Sequence, residues 1–300
     1  MRCAVIGSTK IAEVHINELI KNNISEIYVI SRHKNKRLCL IKKLNKKFKS
    51  VKFYEDKIDI LKKKKFKIID ICSADEFHDI HLDYIADLNS IILIEKPIIS
   101  LLKFNNNYVN FLNKIYKKNK KIVVCYPMLF LCNEFKLYLN NKKKFNKIKF
   151  NLSTGGRYNY KKIIINLMPH ALTFLINLIK IDRNTKIDFN NSIIKKNNSI
   201  FNLTIENIKI EILLSEILHK KTILSLTVND KKITRLTRRM NSKFINFIKI
   251  DNKNFEINNP MSEFFKDFFL NINNNKYYYK NKNLTYLIMK LNFNLMFLKK

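Results

Sequence analysis

The sequence predicts an α/β protein, with an N-terminal doubly wound parallel sheet of the Rossmann type followed by an α+β domain whose open sheet is mainly antiparallel. Three observations predict it. Up to about residue 125, short apolar runs alternate with stretches of helical spacing, the pattern of strand–helix–strand units that build a parallel sheet. The first of these units turns on a glycine, in a chain that has only 3. Beyond residue 125 the apolar runs lengthen and are separated by Asn and Asp turns rather than helices, which reads as hairpins. Two domains follow, 1–124 and 125–300, each long enough to bury a core of its own.

Each element can be justified in turn. Residues 2–6 (RCAVI) form a strand that stops at Gly7, and Ile11, His15, Leu19 and Ile20 then recur at helical spacing. A strand at 27–30 leads through polar SRHKNKR into a helix over about 38–48, then a short strand near 51–53 and a helical stretch around 58–64. FKIIDICS (66–73) is a buried strand, 78–88 a helix and SIILIEKP (90–97) the next strand; a helix over 101–119 and the strand IVVCY (122–126) complete the first half. In the second half the strands lie within 147–156, 200–216, 221–236 and 244–258, with turns near Glu206–Asn207, Asn229–Asp230 and Asp251–Asn252. Helices over 261–271 and about 284–298 finish the chain, and the Asn/Lys-rich stretches 195–198 and 273–282 read as exposed loops.

Composition narrows the class. At 46% hydrophobic and 12% aromatic residues the chain has too much apolar material for intrinsic disorder. The run from Ile122 to Cys132, read as the longest uncharged one in the middle of the chain, contains Pro127 and falls short of the roughly 20 residues that span a bilayer. The N-terminal MRCAVIGSTK turns polar too early for a signal peptide, so a cytoplasmic protein is expected. The 5 cysteines are scattered and form no C-x-x-C pair, which indicates neither a disulfide framework nor a metal site; Cys3, Cys72 and Cys125 lie in strand-like runs and read as small buried hydrophobes. The net charge of +34 would ordinarily suggest nucleic acid. The lysines are spread along the whole length among abundant asparagine and isoleucine, as an AT-rich genome writes a surface, and nucleic acid is therefore not favoured as a partner.

The turn IGSTKIAEVH (6–15) follows a strand and opens a helix, the context of a dinucleotide fingerprint. Against G-x-G-x-x-G/A it supplies Gly7 and Ala12 and places Thr9 at the middle glycine, where the backbone approaches the pyrophosphate. The hydroxyl of Thr9 and the helix start at Lys10 and Ile11 could still offer groups to a phosphate; a merely structural first turn is the alternative. The second strand ends in Ser31 and Arg32 instead of the acidic residue that binds the ribose of NAD. A hydroxyl and a guanidinium suit a 2'-phosphate, so NADP is favoured and NAD is the other option.

The motifs IGSTKIAEVH, IIDICSADEFHDIHLDYI, IILIEKPI and NLMPHALTFLINLI, in that order, resemble the Gfo/Idh/MocA oxidoreductases, the glucose-fructose oxidoreductase and inositol dehydrogenase family, over almost the whole chain. The resemblance implies a Rossmann domain, a second α/β domain and hydride transfer between nicotinamide and a sugar-like or related small polar substrate. The family's EKP motif stands here as Glu95, Lys96 and Pro97, and the resemblance places Lys96 at nicotinamide and substrate. The family's T-P-N-x-x-H segment is similar to Ser73, Ala74, Asp75 and His78, beside the cofactor. The second motif, D-x-x-x-H, falls on Asn166 and His170, with His170 implied as acid/base. Asparagine can bind a substrate but cannot take its proton, so a catalytically eroded cofactor-binding protein is the alternative function. The residues alone also allow Asn166 to be an N-cap of the helix that Pro169 helps start. Tyr126, Arg157 and Tyr158, near the paired glycines 155 and 156, are candidate pocket residues. From these assignments, His170 is expected to exchange the substrate proton and Lys96 to polarise its oxygen. The alternation of Phe201, Leu203 and Ile205 on an uncovered sheet face would favour a homodimer or homotetramer.

Overall fold

The computed structural model describes the chain except residues 105–106, 140–143, 157, 219–221, 241–242 and 298–300. In chain order the elements are β1 (Arg2–Ile6), α1 (Lys10–Lys21), β2 (Glu26–Ile30), α2 (Lys34–Lys47), β3 (Lys52–Asp56), α3 (Ile60–Lys63), β4 (Ile68–Ile71), α4 (His78–Ile85), β5 (Ile91–Glu95), α5 (Leu101–Phe104), α6 (Tyr108–Lys118) and β6 (Ile122–Cys125). They continue with α7 (Met128–Tyr138), β7 (Lys147–Thr154), α8 (Lys161–Ile179), β8 (Ile187–Ile194), β9 (Asn198–Ile205), β10 (Ile208–Glu216), β11 (Ile223–Val228), β12 (Lys231–Met240), β13 (Lys243–Ile250), β14 (Lys253–Ile257), α9 (Pro260–Leu270) and α10 (Asn275–Met296). Two compact units emerge, Met1–Cys125 with Phe264–Tyr286, and Tyr126–Glu263 with Leu287–Lys300.

The first unit carries a parallel sheet of order β3-β2-β1-β4-β5-β6. The chain starts in the middle and builds outward in both directions, so the carboxyl ends of β1 and β4 flank the point where the order reverses, where open α/β sheets bind ligands. Near-continuous apolar runs suit strands covered on both faces: Cys3, Ala4 and Val5 of β1, and Ile92, Leu93 and Ile94 of β5, are all 0% exposed. The outer edge at β6 is closed by a side chain. Asn281 of α10 accepts the Val124 N–H at 2.8 Å and donates to the Val124 carbonyl at 3.0 Å, as a neighbouring strand would.

The second unit carries eight strands in the order β14-β13-β12-β11-β7-β10-β9-β8. β7 and β10 run parallel and the other neighbours antiparallel. The expected turns are present. Glu206 and Asn207 both take positive φ (51° and 90°), as do Asn229 (52°) and Asp251 (50°), the left-handed geometry that hairpin turns use and that Asn and Asp tolerate.

The structure corrects the sequence reading in six places. The 101–119 helix is split into α5 and α6. The segment 273–282, expected as a loop, contains the first turns of α10, where Asn281 is buried because it has backbone partners. α7 and β8 were not anticipated; α7 lies in an apolar stretch that gave no periodic contrast, and β8 is half polar. Pro169 lies inside α8, which starts eight residues earlier at Lys161, so Asn166 is an interior helix residue and not its N-cap. The longest uncharged run is Ile163–Ile179 and not Ile122–Cys132. It makes α8 long and apolar enough to cross a membrane, but 72% of its most apolar stretch is buried inside the fold. Finally, Phe201, Leu203 and Ile205 are buried within the chain itself (0–3% exposed), on strands that pack against α8. The opposite face of those strands carries polar pairs such as Lys149–Glu211 and Asn202–Asn191, so this alternation gives no ground for a covering subunit.

Candidate active site

A cavity of about 600 Å³ opens at the carboxyl ends of β1, β2 and β4, in the first unit. Its floor is the turn Gly7–Thr9. Gly7 has φ of 144°, and a Cβ there would stand 2.6 Å from the carbonyl oxygen of Cys72. Its N–H is held by the Ile30 carbonyl at 2.8 Å. Only glycine satisfies both the dihedral and the close approach of the neighbouring strand. Thr9 is exposed at the N-terminus of α1, lines the cavity, and makes no side-chain capping bond.

The far wall is basic. Ser31, Arg32, His33, Lys34 and Lys36 line it. Ser8 donates to the Ser31 hydroxyl at 3.0 Å, and the Arg32 guanidinium lies 5.7 Å from the centre of the Phe77 ring. Arg37 is committed elsewhere: it bonds the Ser31 carbonyl and pairs with Glu55 at 3.1 Å, holding the loop's shape. The near wall is Ser73, Ala74, Phe77 and His81. His81 Nδ1 is 2.9 Å from the Ser73 hydroxyl, and burial together with the neighbouring His78 pushes its pKa down to about 4, leaving a neutral ring that shares a hydrogen bond with the serine.

Behind these walls two histidines tie the loops together. His78, 1% exposed, stands between the carbonyl oxygens of Pro97 (2.7 Å) and Ser73 (2.9 Å); burial lowers its pKa against the pull of both oxygens, so the neutral ring donates its one N–H to one of them. His15, 0% exposed, bridges carboxylates: Nδ1 is 2.9 Å from Asp70 and Nε2 2.7 Å from Glu95. Burial opposes its charge, but Cys72 and Asp70 outweigh that and hold its pKa well above the ordinary value. Carboxylates only accept, so a ring that satisfies both must be an imidazolium donating from both nitrogens. Ligand atoms of His15, Asp70 and Cys72, and of His15, Glu95 and Cys125, lie within 4.8 Å of one another. The imidazolium already supplies the cation, and burial pushes the Cys125 thiol up to about 12, so the group reads as a hydrogen-bond network. Lys96 follows directly after Glu95, half-buried, before a cis bond to Pro97.

In the second unit Asn166 and His170 sit one turn apart on the half-buried face of α8. Asn166 Nδ2 donates to Glu216 Oε1 at 2.7 Å, and the Tyr158 N–H donates to Glu216 Oε2, also at 2.7 Å. Glu216, the last residue of β10, is 3% exposed.

Residues 1–126 match the family model described as an oxidoreductase family with an NAD-binding Rossmann fold, GFO_IDH_MocA. These residues belong to the Gfo/Idh/MocA oxidoreductase family. No curated protein matches the chain at significant similarity. Among solved structures it is similar to a UDP-N-acetylglucosamine 3-dehydrogenase from Acidithiobacillus ferrooxidans, at 10% identity and a TM-score of 0.66, covering 99% of this chain and 98% of that one. It is also similar to a dehydrogenase from Clostridium difficile (16% identity, TM-score 0.66, 97% and 99% covered). A mutant 3-ketoreductase from Actinomadura kijaniata, in complex with TDP-benzene and NADP, matches at 9% identity, with a TM-score of 0.67 and 96% of each chain covered. At such identities these likenesses show the fold.

Of the cofactor-binding residues expected from the sequence, the cavity brings together Gly7, Thr9, Ser31 and Arg32, read from the turn and the second strand, and Ser73 and Ala74, implied by the resemblance. Lys10 and Ile11 open α1 next to Thr9 and do not line the cavity. His78 and Glu95 lie behind the wall as supports, turned to other protein groups. Tyr126 is buried at 3% exposure and Tyr158 is exposed, meeting Glu216 through its backbone; Arg157 lies outside the described residues. Sequence reasoning missed His81 and Phe77 at the cavity, the His15–Asp70–Glu95 group and Glu216. The signal for most of them was a polar residue inside an apolar run: Asp70 in IIDIC, His15 among Ile11, Leu19 and Ile20, and Glu216 at the end of IEILLSE.

Proposed function

We propose that the chain is an NADP-preferring oxidoreductase of nucleoside-diphosphate sugars or similar small polar compounds, working in the cytoplasm. The observation that carries the cofactor preference is the basic wall at the end of β2, where Ser31 and Arg32 replace a carboxylate. A carboxylate there would accept from a ribose hydroxyl and repel a 2'-phosphate; a guanidinium and a hydroxyl donate to the phosphate instead. Two of the similar structures are named for action on, or a complex with, nucleotide-linked groups, which supports the substrate class.

When bound, the nicotinamide would supply the hydride acceptor. Lys96, in the motif that follows β5, is the group we assign to polarise the substrate oxygen, since an ammonium strengthens as a donor where water is thin. His170 is assigned the proton, because imidazole is the side chain best matched to exchange near neutral pH. Fluorescence titration with NADPH and NADH tests the reading. NADPH is expected to bind tighter, and binding of both weaker than about 1 mM would overturn it.

A second reading keeps the cofactor and drops turnover, and one observation favours it: Asn166 stands where the family motif has aspartate. It predicts tight NADPH binding with no reduction of NADP+ by any of a panel of nucleotide sugars.

A further inference from the structure

We infer that Glu216 is the positioning residue of the second unit's site, and that Asn166 and Glu216 together do what a single carboxylate at position 166 would do. The inference rests on the proposed function for its role in turnover, and on geometry for the pairing itself. Both oxygens of Glu216 are occupied by donors, Oε1 by the Asn166 amide and Oε2 by the Tyr158 N–H. An amide whose NH2 is held by a carboxylate can point only one way, with its carbonyl oxygen away from Glu216. The pair therefore carries one negative charge and presents an acceptor on the helix face shared with His170, as an aspartate at 166 would.

The surrounding chain is shaped to this carboxylate. Gly156, one of only 3 glycines in the sequence, has Glu216 where its own side chain would be: a Cβ would lie 2.0 Å from Oε2. Two residues past Tyr158, Tyr160 takes a positive φ of 48°, costly for a non-glycine residue, and its N–H is held by the Lys196 carbonyl at 3.0 Å. Gly156 and Tyr158 thus both lie against the Glu216 carboxylate, the one by its missing side chain and the other by its N–H. β10 holds the other side, with the Glu216 N–H on the Asn197 carbonyl at 3.0 Å. A rare glycine and a backbone N–H thus meet at the buried residue that partners the amide at the motif's aspartate position.

The test is a charge exchange in the full chain. In E216Q the Tyr158 N–H still needs an acceptor, so the introduced side-chain amide turns its carbonyl oxygen to that N–H and its NH2 to position 166. Asn166 must then flip and present NH2 in place of oxygen. Every hydrogen bond is rebuilt, so the melting temperature should stay within about 2 °C of wild type, while turnover falls on the order of ten-fold or more at an unchanged KM for NADP+. In N166D two carboxylates face each other and stability falls at neutral pH. In N166D/E216Q the carboxylate and the amide have changed places. The carboxylate, now on α8, accepts from the amide on β10 and presents its second oxygen, so both stability and turnover return to within roughly three-fold of wild type. G156A, which displaces the carboxylate by a different route, should lose turnover like E216Q.

Turnover is followed as NADPH formation from NADP+ with UDP-N-acetylglucosamine, UDP-glucose and TDP-glucose. Unchanged turnover in E216Q, or a double variant no better than N166D, overturns the inference. If wild type reduces no NADP+ with any of the three, the role in turnover falls with the proposed function. The stability cycle then still decides the pairing, which fails if N166D is as stable as wild type.

Discussion

His15 Nε2 stands 2.7 Å from Glu95 Oε1 while its other ring nitrogen stands 2.9 Å from Asp70, so one imidazolium joins the helix that borders the cavity to the strand that precedes Lys96. Removing the cation leaves two carboxylates buried without compensation, which costs about 3–5 kcal/mol for a broken buried pair. Urea unfolding of H15L at neutral pH should show a loss of that order, and a loss below about 1 kcal/mol would mean that the carboxylates find other partners. The sign with pH follows from the raised pKa of His15. Its contribution is fully present below about pH 6.5, its unfolded value, and is lost as pH rises through the higher folded value. The gap between wild type and H15L should therefore narrow in alkaline solution.

The Arg32 guanidinium is expected to discriminate between the two cofactors. Loss of a charge-assisted hydrogen bond to a phosphate costs about 1.5–3 kcal/mol, so R32A should weaken NADPH binding by roughly 10- to 100-fold and leave NADH within about two-fold. Equal weakening of both would place the guanidinium over the adenine, with Phe77 below it, and would remove the argument for NADP.

Replacing Lys96 by methionine keeps the length of the side chain and removes the ammonium. Turnover should fall by about 10² or more with NADPH affinity nearly unchanged. Full activity in K96M would show that another group polarises the substrate.

His81 gives the cavity an acid limit. Its folded pKa of about 4 lies below the ordinary 6.5 because burial disfavours the charged ring, so the folded state loses stability as pH falls from about 6.5 towards 4. H81Q keeps a partner for Ser73 and removes that proton. Thermal melts at a series of pH values should show a shallower acid slope in the variant, and identical slopes would sink the assignment.

How much of this was legible in the sequence differs between the two units. In the first unit, strands buried on both faces are runs of apolar residues closed by polar turns; Gly7 and Ser31 lie at turns that line the cavity, while the EKP motif lies at the end of β5 and is not part of that lining. The supports behind it were not legible, because His15 and Asp70 occupy positions that a periodicity argument assigns to the core, and only the partner across the sheet explains them. In the second unit Asn166 could be read only as a departure from a motif or as an N-cap. Its partner lies 50 positions away at the end of another strand, and nothing local to either residue announces the pair. The glycine at 156 was the one available hint, since a glycine permits a close approach without naming the group that approaches. The helix ends were misread where lysine and asparagine dominate, as in 273–282, since these residues suit both a solvated loop and the outer turns of a helix.

The bond pair between Asn281 and Val124 links residues 157 positions apart. During synthesis, β6 is therefore made long before the side chain that covers its edge. The nascent first unit leaves the ribosome with an open strand of Ile122–Cys125, a template for pairing with other chains, and it stays so until α10 has emerged. A fragment ending at residue 125 should inherit that open strand permanently, and would be expected to associate edge to edge where the full chain does not.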